Sequence, residues 1–591
     1  MLRVLVCAVT IIIATLQGTR VEAQGRTVSQ EVFVTATASP ASVERVGQTV
    51  VTLTRADLER LGVTWIADAL RLAPGVDVRA RGPKEIQTDF SVRGATFGQN
   101  LVLLDGRRLN DSQSGHHNGD VPATLAGIDR IEIVTSAGSA IHGADALGGT
   151  INIITRRDRH VAASLTVGQF GYVAGHGTVQ GTGLPVWLAA SLWGSRSGGF
   201  ETGREFATGG ASVRVQLNDG WHVEARHVNK AFGAYGFYGP SPSKEWTDQT
   251  LVASDWQRSR GTWTTRLRLF VRNHGDHFRW DVNRPGFAEN QHRTNAVDAE
   301  VRAQRDFGHG ARLTLGGGGG GDWVRSTNLG DHEYGRAHAV IELQQPLTTR
   351  GMVTAGVRAD RYTTFGQALS PSVAFAAHVT SSLRVRASAA RGFRVPTFTE
   401  RFYHDPANLG TATLVAERGW SADAGVDWTG RRWTVSASPF RRWDRDVIDW
   451  VRSSPAEVWR STNVRDVTSS GVDLSATGRW RDASIRIHTT VLRVDAPRLQ
   501  LLSKYVLEYA RYSMGLTAAA PLGAGFRLGV TADHRRRADG QAYTLVGLKL
   551  SKAVGRAEFF VDGTNLLNET YREIAGVSMP GRWMTAGVVL K

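Results

Sequence analysis

One cysteine occurs in the 591 residues, Cys7, and it lies in the first apolar stretch. Disulfides and thiol chemistry are therefore excluded from everything beyond that stretch. Lysine is scarce: only Lys84, Lys230, Lys244, Lys504, Lys549, Lys552 and Lys591 occur, so nearly all of the 70 basic residues are arginine. Proline is sparse at 17 residues, while glycine is abundant at 66. No apolar run after the N-terminus reaches the roughly 18 residues that a membrane-crossing helix needs, which excludes a helical membrane protein. Catalytic signatures are missing as well. No G-x-S-x-G occurs, the glycine-rich residues 138–149 lack the Lys-Ser/Thr of a phosphate loop, and His332-Glu333 is followed by Arg336 where a zinc-protease helix needs its second histidine. The chain reads as a non-enzyme with no cofactor.

At the N-terminus, Arg3 precedes an apolar stretch over residues 4–16, and Val21-Glu22-Ala23 has the small-residue spacing of a cleavage site. Residues 1–23 read as a signal peptide, with the mature chain starting at Gln24. The formal charge is +16. Nucleic acid is not the expected partner, because the arginines are scattered through alternating segments and an exported chain does not meet the genome. A basic surface suits contact with anionic lipopolysaccharide.

Residues 50–78 read strand, helix, helix, strand. Thr54 is placed to cap a helix over residues 55–61, and residues 66–72 form a second amphipathic segment ended by Pro74-Gly75. After Arg157 the pattern changes. Residues 161–167, 187–193, 212–216, 221–227, 263–272, 383–389, 433–440 and 484–492 alternate apolar with polar side chains, which places the two sets on opposite faces of a strand. In an outer-membrane barrel the apolar set faces lipid and the polar set lines the lumen. Trp221, Trp263, Trp280, Trp433 and Trp480 near strand ends suit interfacial girdles. The six glycines at residues 316–321 suggest a place where wall and interior approach closely.

Several motifs carry a family resemblance. They are Arg93-Gly94, the L-x-D-G turn at residues 103–106, Arg130-Ile131-Glu132, and G-G-x-I-N-I-I-T ending at Thr155. Residues 391–396 (RGFRVP) with Glu400 and Glu417, and Asn565, Asn568, Tyr571 and Pro580-Gly-Arg582, extend it to the C-terminal end. Together they resemble the TonB-dependent outer-membrane receptors. Departures are Thr135-Ser136-Ala137 for the usual Arg-Gly-Pro, Ala416 for a proline, and Lys591 for a terminal aromatic. The resemblance implies a membrane β-barrel of 22 antiparallel strands (residues 159–591) with an N-terminal α+β plug domain (residues 46–158) in its lumen. At ~20 residues per strand and connection the arithmetic closes, though 16 or 18 strands with longer loops also fit.

The resemblance also implies roles. Residues 24–45 form an N-terminal segment in which Glu31, Val32, Phe33, Val34, Thr35, Ala36 and Thr37 resemble the TonB box, lying outside the folded plug. Its β-branched alternation suits strand addition by a TonB-type energy-transducing partner. Arg93 and Arg130 match the plug arginines, and Glu417 and Asp473 the barrel carboxylates, of a plug–barrel lock. Ligand contacts are expected from three stretches. Residues 111–120 (DSQSGHHNGD), with His116, His117 and Asn118, form a hydrophilic insert expected to point out of the plug toward the ligand. Adjacent histidines on an extended backbone point apart, so no metal site is expected there. Tyr235, Phe237, Tyr238 and Trp246 form an aromatic loop suited to a large, partly apolar ligand, and His404 occupies a region where haem receptors of the family place an iron ligand. The function implied is TonB-dependent active transport of a corrinoid or ferric siderophore across the outer membrane. Alternatives are a haem receptor of the same family and a passive porin.

Overall fold

The alternation past residue 159 is realised as a closed barrel. The computed structural model describes residues 33–591 except 62, 85, 183–186, 218–219, 465 and 497–500. The signal-peptide reading, Glu31 and Val32 fall outside the described residues. Twenty-two antiparallel strands close on themselves, the first, His160–Gly168, pairing with the last, Trp583–Leu590, as well as with Tyr172–Thr182. Strands run from 8 residues up to the 20 of Glu289–Gly308. The longer ones exceed the 9–11 residues that cross a bilayer and stand beyond one rim. Turns are short at the rim where the chain leaves the plug, and the long loops all lie at the other.

Side-chain exposure follows the pleat. On Lys244–Arg260, Leu251 is fully buried while its neighbour Val252 is 47% exposed. Val161, Leu165, Leu192, Val271 and Leu369 are likewise exposed, forming the outward apolar band that lipid covers. At the short-turn rim Trp221 packs beside Trp256 (6.2 Å) and Trp433 meets Trp480 edge-on (5.3 Å), as a girdle requires.

The plug fills the lumen. A five-stranded sheet has the order Val50–Thr54, Ile128–Val134, Gly149–Thr155, Asn100–Leu104, Arg107–Arg108, with a separate hairpin of Val76–Ala80 and Thr88–Val92. Leu53, Ile131, Ile133, Ile151, Ile153, Val102 and Leu104 are buried in one core, each worth roughly 1.5–3 kcal/mol. Leu251 and Ala253 of the barrel join that core. The helix Arg55–Leu61 starts where Thr54 predicts it: Asp57 N donates to Thr54 Oγ1 (3.2 Å) and Thr54 N donates to Asp57 Oδ2 (3.2 Å). The second helix is shorter than expected, Ile66–Leu70. Gly75 closes the turn after it at φ 76°, where an added Cβ would meet Asp473 of the wall at 3.2 Å.

At the long-loop rim, Asn408–Leu409, Val447–Arg452, Trp459–Val464 and Leu502–Ser503 form a small sheet of their own. The six glycines lie inside Ala311–Ser326. Their crowding comes from within the wall: added Cβ atoms would meet Ala299 O, Val297 O, the Arg302 stem and the His338 ring, none of them in the plug. Small residues are needed there to let neighbouring long side chains lie across the strand.

Candidate functional site: the plug, its seam and the loop mouth

The plug is seated by ion pairs as well as by the apolar contact with Leu251 and Ala253. Arg71 grips Glu573 of the last long loop through two hydrogen bonds (2.6 and 2.8 Å). Asp77 takes Arg535 (2.7 Å) and Arg537 (3.2 Å), Asp111 takes Arg272 (2.8 Å), and Asp120 takes Lys230 (2.8 Å). Burial works against the charged forms of Asp77 and Asp111, but the facing guanidiniums hold both carboxyls well below the usual range. Part of the arginine content is thus lumenal: Arg272, Arg535 and Arg537 face plug carboxylates.

Of the four expected lock residues, two meet. Arg93 Nε donates to Asp473 Oδ2 at 2.8 Å, and the two side chains are 3% and 6% exposed. Arg93 also donates to Thr135 O (3.0 Å), and its guanidinium lies over the Phe440 ring at 4.1 Å. Arg130 and Glu417 are not paired with each other. The strand Ile128–Val134 turns Arg130 toward carboxylates of its own domain, Glu132 and Asp129 (2.8 Å each). Glu417 lies on the seam, but its plug partner is Gln99, whose Nε2 donates to Oε2 at 2.6 Å. Its other oxygen is held by Arg394 (2.6 Å) and Ile448 N (2.9 Å), and Arg394 also clamps Glu400.

The described part of the TonB-box-like segment is not free, as expected from sequence, but packed. Phe33–Val34 pairs with Ala41–Ser42 in a two-stranded ribbon, and Val34 and Ala36 are buried against Val46 and Val134. Thr35 donates from N (2.8 Å) and Oγ1 (2.6 Å) to Glu132 Oε2, and Asn152 donates to Thr35 Oγ1 (2.6 Å). Thr37 bonds Ser39 O, and Ala38 N bonds the Glu342 carboxylate of the wall (3.0 Å to each oxygen). Backbone groups withdrawn from water need hydrogen-bond partners, and plug and wall supply them. Glu132 is therefore a latch. Glu132→Gln removes hydrogen bonds to a charged acceptor, each worth about 1.5–3 kcal/mol. Limited proteolysis of the purified variant is expected to cut residues 33–40 faster than in the parent; equal protection of the two would remove the latch role.

Residues 110–120 do not project toward solvent. Asp111, Ser112, Gln113, His117, Asn118 and Asp120 are all buried. The stretch is polar because the wall it packs on is polar. Ser112 O and Gln113 O accept from Phe398 N (2.8 Å) and Thr399 N (3.0 Å), and Gln113 Nε2 donates to Asp276 (2.8 Å). Asn118 braces the loop from inside, accepting from Asp111 N at 3.1 Å. The short helical turn Gly115–His117 sends the two imidazoles to different surroundings. His116 stacks on Phe97 (4.2 Å), sits edge-on to Tyr505 (5.7 Å), and shares a hydrogen bond with Asp89 (2.9 Å). Burial outweighs Asp89 and holds His116 down at about 4. His117 faces Asp276 (3.3 Å). Burial opposes its charged form too, but Asp276, with Asp120 adding, raises it to about 10.

The expected aromatic loop is split. Tyr235 and Tyr238 are exposed, Tyr238 touching Gln87 (3.2 Å), whereas Phe237 is buried with Phe232. Trp246 lies on the same strand face as exposed Val252 and stacks on His277 (4.9 Å), so it belongs to the outer surface. His404 is exposed; Asn328 brackets its backbone (3.2 and 2.8 Å). None of these touches His116. What does meet His116 was not singled out from sequence. Tyr505 and Lys504 enter from the loop after Leu502–Ser503, with Lys504 Nζ 5.8 Å from the Trp450 and Trp459 ring centres and 5.5 Å from Tyr505. Burial, with Arg81 nearby, lowers Lys504 to about 8. Arg81 itself pairs with Asp89 (3.1 Å). Phe97, His116, Tyr505, Trp450, Trp459 and Lys504 thus make an aromatic, basic floor at the loop mouth.

A closed 22-strand barrel with a separately folded plug pinned by ion pairs defines a plugged outer-membrane receptor. The chain belongs to the TonB-dependent receptor family: the model for the TonB dependent receptor-like β-barrel matches residues 154–573, and that for the TonB-dependent receptor plug domain matches residues 42–150. Members of this family take up small-molecule ligands and work with TonB. The vitamin B12 transporter BtuB of Vibrio vulnificus strain YJ016 is 24% identical over 455 residues, 72% of each chain. The iron-regulated outer membrane virulence protein of Vibrio cholerae is 36% identical over 145 residues, 23% of this chain and 22% of that one. Among solved structures, the siderophore receptor PirA of Acinetobacter baumannii superposes with a TM-score of 0.74 at 15% identity, covering 92% of this chain and 98% of that one.

Proposed function

We propose that this receptor carries a corrinoid, or next to it a ferric siderophore, inward across the outer membrane, driven by a TonB-type partner that pairs with residues 31–37. The observation that carries the reading is the latch. An N-terminal strand held by the plug's own Glu132 and Asn152, and at Ala38 by Glu342 of the wall, is a handle at the short-turn side that force can reach. The likeness to a relative named a vitamin B12 transporter supports taking the corrinoid first. The floor of Phe97, His116, Tyr505, Trp450, Trp459 and Lys504 suits a large ligand with aromatic or conjugated faces and an acidic group, since rings stack and a half-desolvated lysine attracts anions. Arginines at the exposed rims suit lipopolysaccharide and lipid headgroups.

The test is equilibrium binding of cobalamin, a ferric siderophore panel and haem to the purified receptor, followed by uptake in energised and de-energised cells. One ligand class is expected to bind and to accumulate only in energised cells. Lys504→Ala and Tyr505→Ala are expected to weaken that binding about tenfold each, ~1.4 kcal/mol. Uptake that persists without a proton gradient would overturn active transport, and unchanged affinity in both variants would move the ligand elsewhere.

A further inference from the structure

The seam between plug and wall holds a donor set that ion pairing leaves incomplete. His117, Glu245 and Asp276 are all buried, and each offers one ligand atom within 4.8 Å of the others'. They come from three elements that the fold fixes independently. His117 ends the plug turn Gly115–His117. Glu245 opens Lys244–Arg260, and Asp276 lies near the end of Trp263–Arg279. Those strands are neighbours in a register that sets Thr247 opposite Asp276 and Glu245 opposite Phe278. Glu245 and Asp276 are therefore diagonal neighbours on the lumenal face, a spacing that long side chains bridge.

Two observations point to a missing ligand. Glu245 is only 2% exposed, and its carboxyl lies beside that of Asp276. Asp276 uses Oδ2 for both Gln113 and His117, while its buried Oδ1 has no hydrogen-bond partner. A buried carboxylate oxygen without a partner is costly, and here one sits beside a second buried carboxyl with one imidazole between them and the plug. A carboxylate also stands behind the imidazole. Its second nitrogen faces Asp120 Oδ2 at 3.8 Å, and Asp120 is held by Lys230 (2.8 Å). A carboxylate behind a histidine orients the ring and raises its donor strength.

We propose that His117, Glu245 and Asp276 seat one divalent transition-metal cation that ties the plug to two adjacent wall strands. One imidazole and two carboxylates with an open fourth position is a donor set for Zn2+ or Co2+, whereas all-oxygen sites suit Mg2+ or Ca2+. The seat lies in the seam, so plug displacement must break or distort it. It does not rest on the transport reading, because binding to the purified receptor needs no energised cell.

The experiment is titration of the EDTA-stripped, full-length receptor in detergent with ZnCl2 by calorimetry and with CoCl2 by visible absorption. One equivalent is expected to bind, with Co2+ giving the absorption of a four-coordinate ion. His117→Ala, Glu245→Gln and Asp276→Asn are each expected to weaken Zn2+ by at least about tenfold, and His309→Ala, on an exposed turn, is expected to leave it unchanged. Absence of saturable binding, or binding that survives Glu245→Gln and Asp276→Asn unaltered, overturns the proposal. Barrel closure in each variant is read from heat-modifiable electrophoretic mobility. Should a variant fail to close, X-ray absorption on the Zn2+-loaded parent decides: one imidazole with oxygen donors supports the seat, and a shell without imidazole overturns it.

Discussion

Receptors carrying Val34→Pro are expected to reach the membrane, bind ligand and accumulate none of it. Strand addition by an energising partner works through backbone hydrogen bonds, and proline both removes a donor and fixes φ near −65°. In the resting state Val34 is fully buried beside Ala36, Val46 and Val134, so the segment has to leave its berth before a partner can pair with it. The substitution therefore loosens the berth while disabling the handle. Val34→Ala separates the two effects: it loses the same apolar contact but keeps the N–H, and is expected to retain uptake. Binding is spared in both because the loop-mouth floor of His116, Tyr505 and Lys504 is built from other elements. The measurement is energised accumulation beside equilibrium affinity. Normal accumulation by Val34→Pro receptors would sink the proposed handle.

The strands were legible because strand period is local; their closure into a 22-strand barrel was implied by the family resemblance. Residues 161–167, 187–193 and 263–272 show their alternation without reference to any partner, and each lies inside an observed strand. The helix Arg55–Leu61 was legible because Thr54 and Asp57 cap it over four residues. Partnership across the lumen was not. Arg71 meets Glu573 and Asp77 meets Arg535, pairs set by the shear and closure of the whole barrel. A motif gives a position and leaves the rotamer's target open, which is why Arg130 carries the family pattern yet turns to Glu132. Residues 111–120 were misread for a related reason. Hydrophilic sequence normally marks a solvated loop, but inside a polar lumen it marks a buried contact, and nothing local distinguishes the two. Lys504 and Tyr505 lay in a stretch with no motif at all, and only the loop sheet brings Tyr505 to His116, with Lys504 beside it.

Breaking the Arg93–Asp473 pair is expected to unseat the plug. Both side chains are almost wholly withdrawn from water and joined at 2.8 Å. Removing one partner leaves the other charge buried and unpaired, a cost of about 3–5 kcal/mol, whereas an exposed pair would cost about 0–1 kcal/mol. Arg93 carries extra weight because it also donates to Thr135 O and covers Phe440. Asp473 has a second tie, accepting from Thr490 Oγ1 at 2.7 Å, while the same hydroxyl accepts from Gly75 N at 2.8 Å. The Asp473 carboxylate thus organises both the plug arginine and the turn after the plug's second helix. Arg93→Ala and Asp473→Ala are each expected to raise protease sensitivity of the plug and leakage of large antibiotics. The double variant should be no worse than the worse single, because the interaction is lost once. Arg130→Ala with Glu417→Ala is the internal contrast. These residues answer to different partners, Glu132 and Gln99 among them, so their effects should add. Additive effects for Arg93 and Asp473, or coupling for Arg130 and Glu417, would return the lock to the pairing that the motif alone suggests.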